Sequence, residues 1–179
     1  MTHQDILRFW FEETPHRAWW TADPAFDALI RERFGELLRR AAQGECEAWR
    51  SKPRGRLAEI VLLDQFSRNV YRGSPQAFAQ DGMALVLAQE AVSRGELAPL
   101  SGVERGFLLL PYMHSESRLV HQCAEQLYRE HALDDNYQFE LRHKTIIDRF
   151  GRYPHRNAVL GRVSTAEELE FLQQAGSSF

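Results

Sequence analysis

The central stretch of this sequence reads Leu62-Leu63-Asp64-Gln65-Phe66-Ser67-Arg68-Asn69-Val70-Tyr71-Arg72-Gly73. It begins with apolar residues and ends with one acid, two amides and two arginines within nine residues. Including the residues upstream, one apolar stripe at helical spacing passes through Leu57 and another through Phe66. A helix that is apolar nearly all round is a buried one. The sequence therefore predicts a buried central helix that begins at Pro53 and ends at about Val70.

Capping residues, glycine and proline mark the ends of further helices along the chain. Asp23-Pro24 is an N-cap followed by proline at the first helical position. Ser101 and Glu104 have the spacing of a capping box. Pro111 is expected to kink or stop the helix that begins after Ser101, and Gly151 is expected to end a later helix. No run of alternating Val, Thr and Tyr residues indicates a strand.

The fold class follows from this pattern of helices. About eight helices are joined by short connectors, and short connectors favour antiparallel neighbours. The length of 179 residues suits one domain with a single core. We therefore expect an all-α protein built of antiparallel helical hairpins, with one domain over residues 1–179.

The composition narrows the function classes. The net charge of -3 argues against general nucleic-acid binding, which requires a strong positive field. No apolar run approaches the roughly 18 residues of a membrane span, and the N-terminus lacks a signal-peptide pattern. Cys46 and Cys123 lie far apart and are expected to be inert thiols in a reducing compartment. We expect a cytoplasmic protein without nucleic-acid or membrane partners.

Common catalytic and nucleotide-binding motifs are missing from the sequence. There is no GxGxxG, GxxxxGK[ST], GxSxG, HExxH or EF-hand loop. No cofactor is therefore predicted, and the nucleotide-binding and common hydrolase classes become less favoured.

The polar end of the central helix has two interpretations. Asp64 precedes Arg68 by four residues, which is the favourable order for an ion pair on a helix. Asp64 also falls on the apolar stripe, so this pair is predicted to be partly buried and to fix the helix to a neighbour. Alternatively, Arg68, Asn69 and Arg72 point past the helix end toward an anion, because the arginine fork suits carboxylate and phosphate.

A second cluster echoes the first near the C-terminus. Asp148-Arg149-Phe150-Gly151-Arg152 repeats the Asp-x-Phe-x-Arg pattern that starts at Asp64. Residues 142–162 contain six lysines or arginines against one acid, which gives this segment +5 in a chain of net charge -3. This asymmetry indicates an anion-facing surface. The alternative is a solvated loop whose arginines pair with acids elsewhere. The candidate anion contacts in this loop are Arg152, His155, Arg156 and Asn157.

The segment His114-Ser115-Glu116 is the third candidate. A His-x-Glu pair suits acid/base chemistry or supplies two metal ligands, but the spacing places no third ligand, so no metal is predicted. A capping or core role for His114 is the simpler interpretation, with Ser117 as N-cap of the next helix. His143 lies on an apolar helical face and is predicted to be a hydrogen-bonded core histidine.

The whole chain resembles the bacterial family called domain of unknown function 924. The motifs that carry the resemblance are Phe9-Trp10-Phe11, Trp19-Trp20, Asp23-Pro24-Ala25-Phe26-Asp27, Pro53-Arg54-Gly55-Arg56-Leu57-Ala58, the stretch from Leu63 to Gly73, Leu110-Pro111-Tyr112-Met113-His114-Ser115-Glu116, the stretch from Arg149 to Asn157, and Gly176-Ser177-Ser178-Phe179. The resemblance implies a tetratricopeptide-like, right-handed superhelical fold, and it implies no established activity or cofactor.

Three functional hypotheses remain open, and whether the protein is an enzyme is one of them. The first is a pocket that binds an anionic small molecule or a peptide. The second is a hydrolytic or phosphate-transferring enzyme that uses His114 or His155 with Asp64 or Glu116. The third is a scaffold whose polar clusters only hold the helices together. The candidate site residues are Asp64, Arg68, Asn69, Arg72, His114, Glu116, Arg152, His155, Arg156 and Asn157. The sequence predicts no oligomeric state for the protein.

Overall fold

The structure, a computed structural model, describes residues 1–178 and is all-helical there, without a strand. Two of its helices contain a π-helical segment. The eight helices are α1 (His3–Arg8, continued by π-helical Phe9–Glu13), α2 (Pro24–Ala42), α3 (Pro53–Ile60, π-helical Val61–Phe66, then Ser67–Val70), α4 (Asp81–Ser93), α5 (Gly102–Met113), α6 (Arg118–His131), α7 (Asp134–Phe150) and α8 (Ala166–Phe171). The all-helical prediction is confirmed. Phe179 of the C-terminal motif lies outside the described residues.

Short 3-10 turns connect several helices, at His16–Trp19, Glu47–Ser51, Pro75–Phe78 and Pro154–Arg156. Within residues 1–178, no helix has the length and apolar character needed to cross a membrane.

The predicted helix ends are confirmed where a side chain satisfies the backbone. The Asp23 carboxylate accepts a hydrogen bond from the Ala25 N–H at 2.9 Å. The Ser101 hydroxyl accepts from the Glu104 N–H at 3.3 Å, and the Glu104 carboxylate accepts from the Ser101 N–H at 2.9 Å. Each bond satisfies an N–H group that lacks a partner within its helix. Gly151 ends α7 with a φ of 71°, a left-handed conformation that suits glycine.

Two helix ends differ from the expectation. α5 continues past Pro111 to Met113, so proline lies inside the helix. It is buried there and sits in the last turn, where its missing N–H removes only one helical bond. Asp134 or Asp135 would be expected to cap α7, since acids precede its apolar positions, but Leu133 is the N-cap and both acids lie in the first turn.

The predicted burial of the central helix is confirmed. Leu57, Leu63 and Phe66 are 0% exposed. Phe66 lies among aromatic rings of α1 and α2, with centroid distances of 5.4 Å to Trp10 and 5.1 Å to Phe34. The main hydrophobic core therefore surrounds α3, and it includes residues of α1, α2, α4, α5 and α6.

A π-helical segment, Val61–Phe66, interrupts the α-helical geometry of α3. All six residues are buried, and Asp64 lies in the middle of them. A π turn holds one more residue than an α turn, so it changes which directions the following side chains take. The apolar pattern predicted a helix here but contained no sign of this wider turn.

A smaller apolar cluster positions the loop after α7. Ile146, Ile147 and Tyr153 form it, with Phe171 of α8 packed against them. Tyr153 is 0% exposed, and its hydroxyl donates to the Met113 carbonyl of α5 at 2.5 Å. The loop that carries Arg156 is therefore held against the end of α5.

Candidate functional site

A cleft with a volume of about 380 Å³ opens where four parts of the chain meet. These are the Pro75–Phe78 turn, the start of α4, the end of α5 and the loop after α7. The residues that line it are Pro75, Phe78, Ala79, Asp81, Gly82, Leu85, Pro111, His114, Ser115, Glu116, Arg156 and Leu160. Three predicted site residues from two parts of the sequence, His114 and Glu116 from one and Arg156 from the other, thus line one cavity.

Asp81 connects the central helix to the C-terminal loop. Arg68 donates two hydrogen bonds to the Asp81 carboxylate, at 2.9 and 3.0 Å. Arg156 Nη1 approaches the same carboxylate at 3.4 Å. Arg68 and Arg156 therefore contact the same carboxylate. The sequence alone does not single out Asp81, since an acid in the first turn is common in helices of any function.

Behind the cleft wall, Asp64 accepts hydrogen bonds at both carboxylate oxygens. Its Oδ1 lies 2.7 Å from His114 Nδ1 and 3.1 Å from Arg68 Nη1, and its Oδ2 accepts from Gln65 at 2.6 Å. The predicted ion pair with Arg68 is confirmed. Asp64 is only 1% exposed. Burial by itself would raise the pKa of Asp64, but the charge of Arg68 and the hydrogen bonds from His114 and Gln65 hold it below its usual range.

Arg156 has little hydrogen bonding for a buried arginine. It is 6% exposed, and its guanidinium lies over the rings of Phe78 at 4.7 Å and Tyr153 at 4.6 Å. Nε is buried without a hydrogen-bond partner. Burial, followed by the charge of Arg68, lowers the pKa of Arg156, although Asp81 opposes this effect. The cleft wall thus contains a cation whose hydrogen-bonding capacity is incompletely used.

Glu116 fixes the loop after α7 to the end of α5. Its carboxylate accepts two hydrogen bonds from Arg162, at 2.5 and 2.9 Å, and one from the Tyr153 N–H at 2.7 Å. Burial by itself would raise the pKa of Glu116, but these hydrogen bonds lower it. Glu116 is therefore ionised and largely occupied by structural contacts.

The two remaining residues of the central cluster lie at a different place. Asn69 donates to Asp27 of α2 at 2.8 Å, and Arg72 donates to the same carboxylate at 2.6 and 2.9 Å. Neither lines the cleft. Both were candidate anion contacts, but the contacts that they make fix α3 to α2.

In the C-terminal loop, Arg152 and Asn157 also have structural partners. Arg152 donates to the Glu168 carboxylate at 2.6 and 2.7 Å, and Asn157 donates to Glu168 and Ser164. The predicted anion-facing charge of residues 142–162 is largely neutralised by pairs between four cations and nearby acids: Lys144 with Asp148, Arg149 with Glu167, Arg152 with Glu168, and Arg162 with Glu116.

The histidines of this region are buried to different degrees. His143 is 5% exposed, and its Nδ1 lies 2.8 Å from the Phe139 carbonyl oxygen, which confirms the predicted core role. His155 lies 5.6 Å from the Tyr153 ring, centroid to centroid. Burial lowers the pKa of His143 to about 3, and burial together with the charge of Arg156 lowers that of His155 to about 4. Among residues 1–178, no three His, Cys, Asp or Glu side chains are grouped so as to hold a metal ion.

These lowered pKa values predict that the protein loses stability in mild acid. The unfolded chain takes up protons on histidine near pH 6.5, whereas folded His143 and His155 resist protonation down to about 3 and about 4. The unfolded state therefore binds more protons within this window, so stability falls as the pH drops below 6.5. By pH 5 each of the two histidines should cost about 2 kcal/mol. Urea unfolding at pH 7.5, 6 and 5 measures this loss.

The control for this effect is His143→Gln, which removes one of the two titrations. Its free energy of unfolding should depend less on pH, by about 2 kcal/mol between pH 7.5 and pH 5. An unchanged pH dependence in this variant would contradict the assignment.

Taken together, the contacts define an all-helical protein in which a polar cleft lies between the central helix, the end of α5 and the C-terminal loop. The chain belongs to the family described as "Bacterial protein of unknown function (DUF924)", whose model matches residues 6–176. The solved structure of the protein of unknown function ATU0120 from Agrobacterium tumefaciens is similar, with a TM-score of 0.90, 36% sequence identity and 96% of each chain covered. A comparison with curated proteins gives no match.

Proposed function

We propose that the cleft binds a small molecule through a carboxylate group. The observation that carries this proposal is Arg156, which is 6% exposed, lines the cleft and retains a buried Nε without a partner. A buried polar group without a partner costs free energy, and an arginine fork is matched in shape by a carboxylate. A bound carboxylate would therefore supply acceptor oxygens to the Arg156 guanidinium, whose hydrogen bonds are incomplete in the folded protein.

The charges around the cleft favour a monoanion over a dianion. Arg156 is the only arginine or lysine among the described residues that line it, whereas Asp81 and Glu116 contribute carboxylates to the same wall. Asp81 already pairs with Arg68, and Glu116 with Arg162. A phosphate dianion would meet repulsion from both acids for the gain of one cation. A carboxylate carries the charge that one arginine balances.

The size of the cleft supports a small molecule. A volume of about 380 Å³ lies in the lower part of the range of about 300–1,000 Å³ for ligand pockets. Apolar side chains of Pro75, Leu85 and Leu160 line it beside the polar groups. We therefore propose a ligand with a short apolar body, and the C-terminal carboxylate of a short peptide would offer the same recognition group.

Hexanoate tests this proposal, with hexanol and inorganic phosphate as comparison ligands. Isothermal titration calorimetry should show saturable binding of hexanoate, weaker binding of phosphate and none of hexanol. In thermal unfolding, a ligand at 100 times its dissociation constant stabilises by about 2.7 kcal/mol. Arg156→Gln should lose the binding of hexanoate, because the amide has no charge and cannot form the arginine fork.

Arg39→Gln is the matched control, since Arg39 is an exposed arginine of α2 that pairs only at the surface with Glu36. It should bind hexanoate as the unmodified protein does. Calorimetry on folded Arg156→Gln separates lost binding from lost stability. Equal hexanoate affinity in both variants, or tighter binding of phosphate, would refute the proposal.

We also propose that the helices form a tetratricopeptide-like superhelix within a single domain. The support is that helices adjacent in sequence contact one another from α4 through α7, as stacked helical hairpins do. In this arrangement the cleft lies beside the hairpin of α4 and α5.

A further inference from the structure

The hydrogen bond from Asp64 fixes the protonation pattern of the His114 ring. Nδ1 lies 2.7 Å from Asp64 Oδ1. An ionised carboxylate only accepts hydrogen bonds, so Nδ1 carries the hydrogen. Asp64 is itself held in place by Arg68 and Gln65. The orientation of the ring is therefore set from behind the cleft wall.

The remaining nitrogen of His114 is a base. Burial, followed by the charge of Arg68, lowers the pKa of His114 despite the Asp64 carboxylate. The ring is accordingly neutral at pH 7, and with Nδ1 protonated the lone pair is on Nε2. The ionisable groups that face this histidine are Asp64 and Arg68 from α3, Asp81 from α4, His143 from α7 and His155 from the C-terminal loop.

His114 also lines the cleft, on the same cavity as Arg156. Its ring is hydrogen-bonded through Nδ1 to Asp64, so Nε2 is the nitrogen that remains for a ligand. The cleft thus combines a cation for a carboxylate with an oriented base. The first of these groups suits the binding of an anion, and the second suits general-base catalysis.

We infer that the cleft is an active site for hydrolysis of carboxylic esters that carry a second, free carboxylate. Arg156 binds the free carboxylate, His114 is the general base, and Asp64 is a positioning residue. This inference rests on the proposed function, since it requires Arg156 to hold the substrate.

Besides the side chains of the protein, the reaction needs only water and the substrate. Nε2 of His114 accepts a proton as the water oxygen bonds to the ester carbonyl carbon. The tetrahedral intermediate then breaks its bond to the alcohol oxygen, and that oxygen takes the proton back from Nε2. The products are an alcohol and a new carboxylic acid group, which releases its remaining proton to solvent to give a dicarboxylate, and the histidine returns to its neutral state. Asp64 stays ionised throughout and stabilises the transient imidazolium.

Two esters of equal chain length test the inference. Mono(4-nitrophenyl) adipate carries the free carboxylate, and 4-nitrophenyl hexanoate lacks it. The unmodified protein should hydrolyse the adipate ester with a kcat/KM at least about tenfold higher, because only this ester engages Arg156. His114→Gln should lower kcat by about 100-fold or more, as expected for the loss of a general base. His131→Gln, which changes a partly exposed histidine outside the cleft, should behave like the unmodified protein.

Nitrogen-15 magnetic resonance of the histidine rings tests the tautomer directly. His114 should show a protonated Nδ1 and an unprotonated Nε2 at pH 7. In Asp64→Asn the Nε2–H tautomer should appear, an effect that a merely structural role of Asp64 would not cause. The rate should fall at low pH as the base becomes protonated, with a midpoint below pH 6.5.

The outcomes distinguish this inference from the proposed function. Hexanoate binding that persists in His114→Gln, with hydrolysis of the adipate ester reduced, supports both. Hexanoate binding by the unmodified protein without hydrolysis that depends on His114, or an Nε2–H tautomer at pH 7, overturns the catalytic inference and leaves the binding site standing. Absence of hexanoate binding overturns both.

Discussion

Asp64→Asn should lower the free energy of unfolding by about 3 kcal/mol at pH 7, because breaking a buried charged pair leaves its partners uncompensated. Asp64 accepts hydrogen bonds at both oxygens, from His114, Arg68 and Gln65. Asparagine has one oxygen, so its amide hydrogens would face one of these donors. For a chain of this length the melting temperature should fall by about 6–12 °C. Urea and thermal unfolding measure both quantities.

Asp148→Asn is a matched control, because Asp148 occupies the equivalent position in the second Asp-x-Phe-x-Arg pattern. Its carboxylate is 46% exposed and pairs with Lys144. The cost there should stay within about 0.5 kcal/mol, as for other surface substitutions. The lowered pKa of Asp64 means that its contribution is present above pH 3.8 and is lost as the pH falls. Equal stability of the two variants at pH 7 would show that the buried network is not stabilising.

Gly55→Ala should also cost about 3 kcal/mol, although alanine is the better helix former by about 1 kcal/mol. A Cβ at Gly55 would lie 2.0 Å from the Trp49 carbonyl oxygen and 2.9 Å from its carbonyl carbon. Both atoms belong to the backbone of the Glu47–Ser51 turn, which cannot rotate away as a side chain would. The start of α3 or this turn must therefore move. Chemical unfolding of the variant measures the cost.

The same change at Gly35 should have the opposite sign. Gly35 lies inside α2, and a Cβ there would meet only the Arg31 side chain, at 3.9 Å. Gly35→Ala should therefore stabilise the protein by about 0.5–1 kcal/mol. If Gly55→Ala were neutral or stabilising in the same assay, the close approach between α3 and the Trp49 backbone would not exist.

The sequence predicted most of the fold because the signals for helix ends are local. Asp23, the Ser101–Glu104 pair and Gly151 each act within one turn of the backbone, and each lies where it was expected. Pro111 and the π-helical segment were different. Whether proline ends a helix depends on what packs around it, and a π turn arises from packing that a hydrophobic pattern does not encode.

The candidate site was only partly predictable, because pairing between distant charges depends on the tertiary arrangement. Of the residues at the polar end of α3, Arg68 reaches the cleft wall through Asp81, while Asn69 and Arg72 turn toward Asp27. Residues adjacent in a helix point in different directions, so this one cluster contributes both to the cleft wall and to the contact between α3 and α2. Neither acid partner carries a local sequence signal, since Asp27 and Asp81 each lie in the first turn of a helix.

The wide π-helical turn at Val61–Phe66 gives α3 one residue more than a regular helix of the same rotation would hold. Deleting one residue there would let the backbone close into regular α-helix, so the helix itself would survive. Later side chains would keep nearly the same direction relative to the stripe at Leu57, because an α turn completes the same rotation with one residue fewer. Arg68 would then still face Asp81. A deletion from the regular helix at Pro53–Ile60 would instead turn every later side chain by about 100° and take Arg68 away from Asp81. The π-helical turn is therefore the part of α3 that tolerates the loss of a residue.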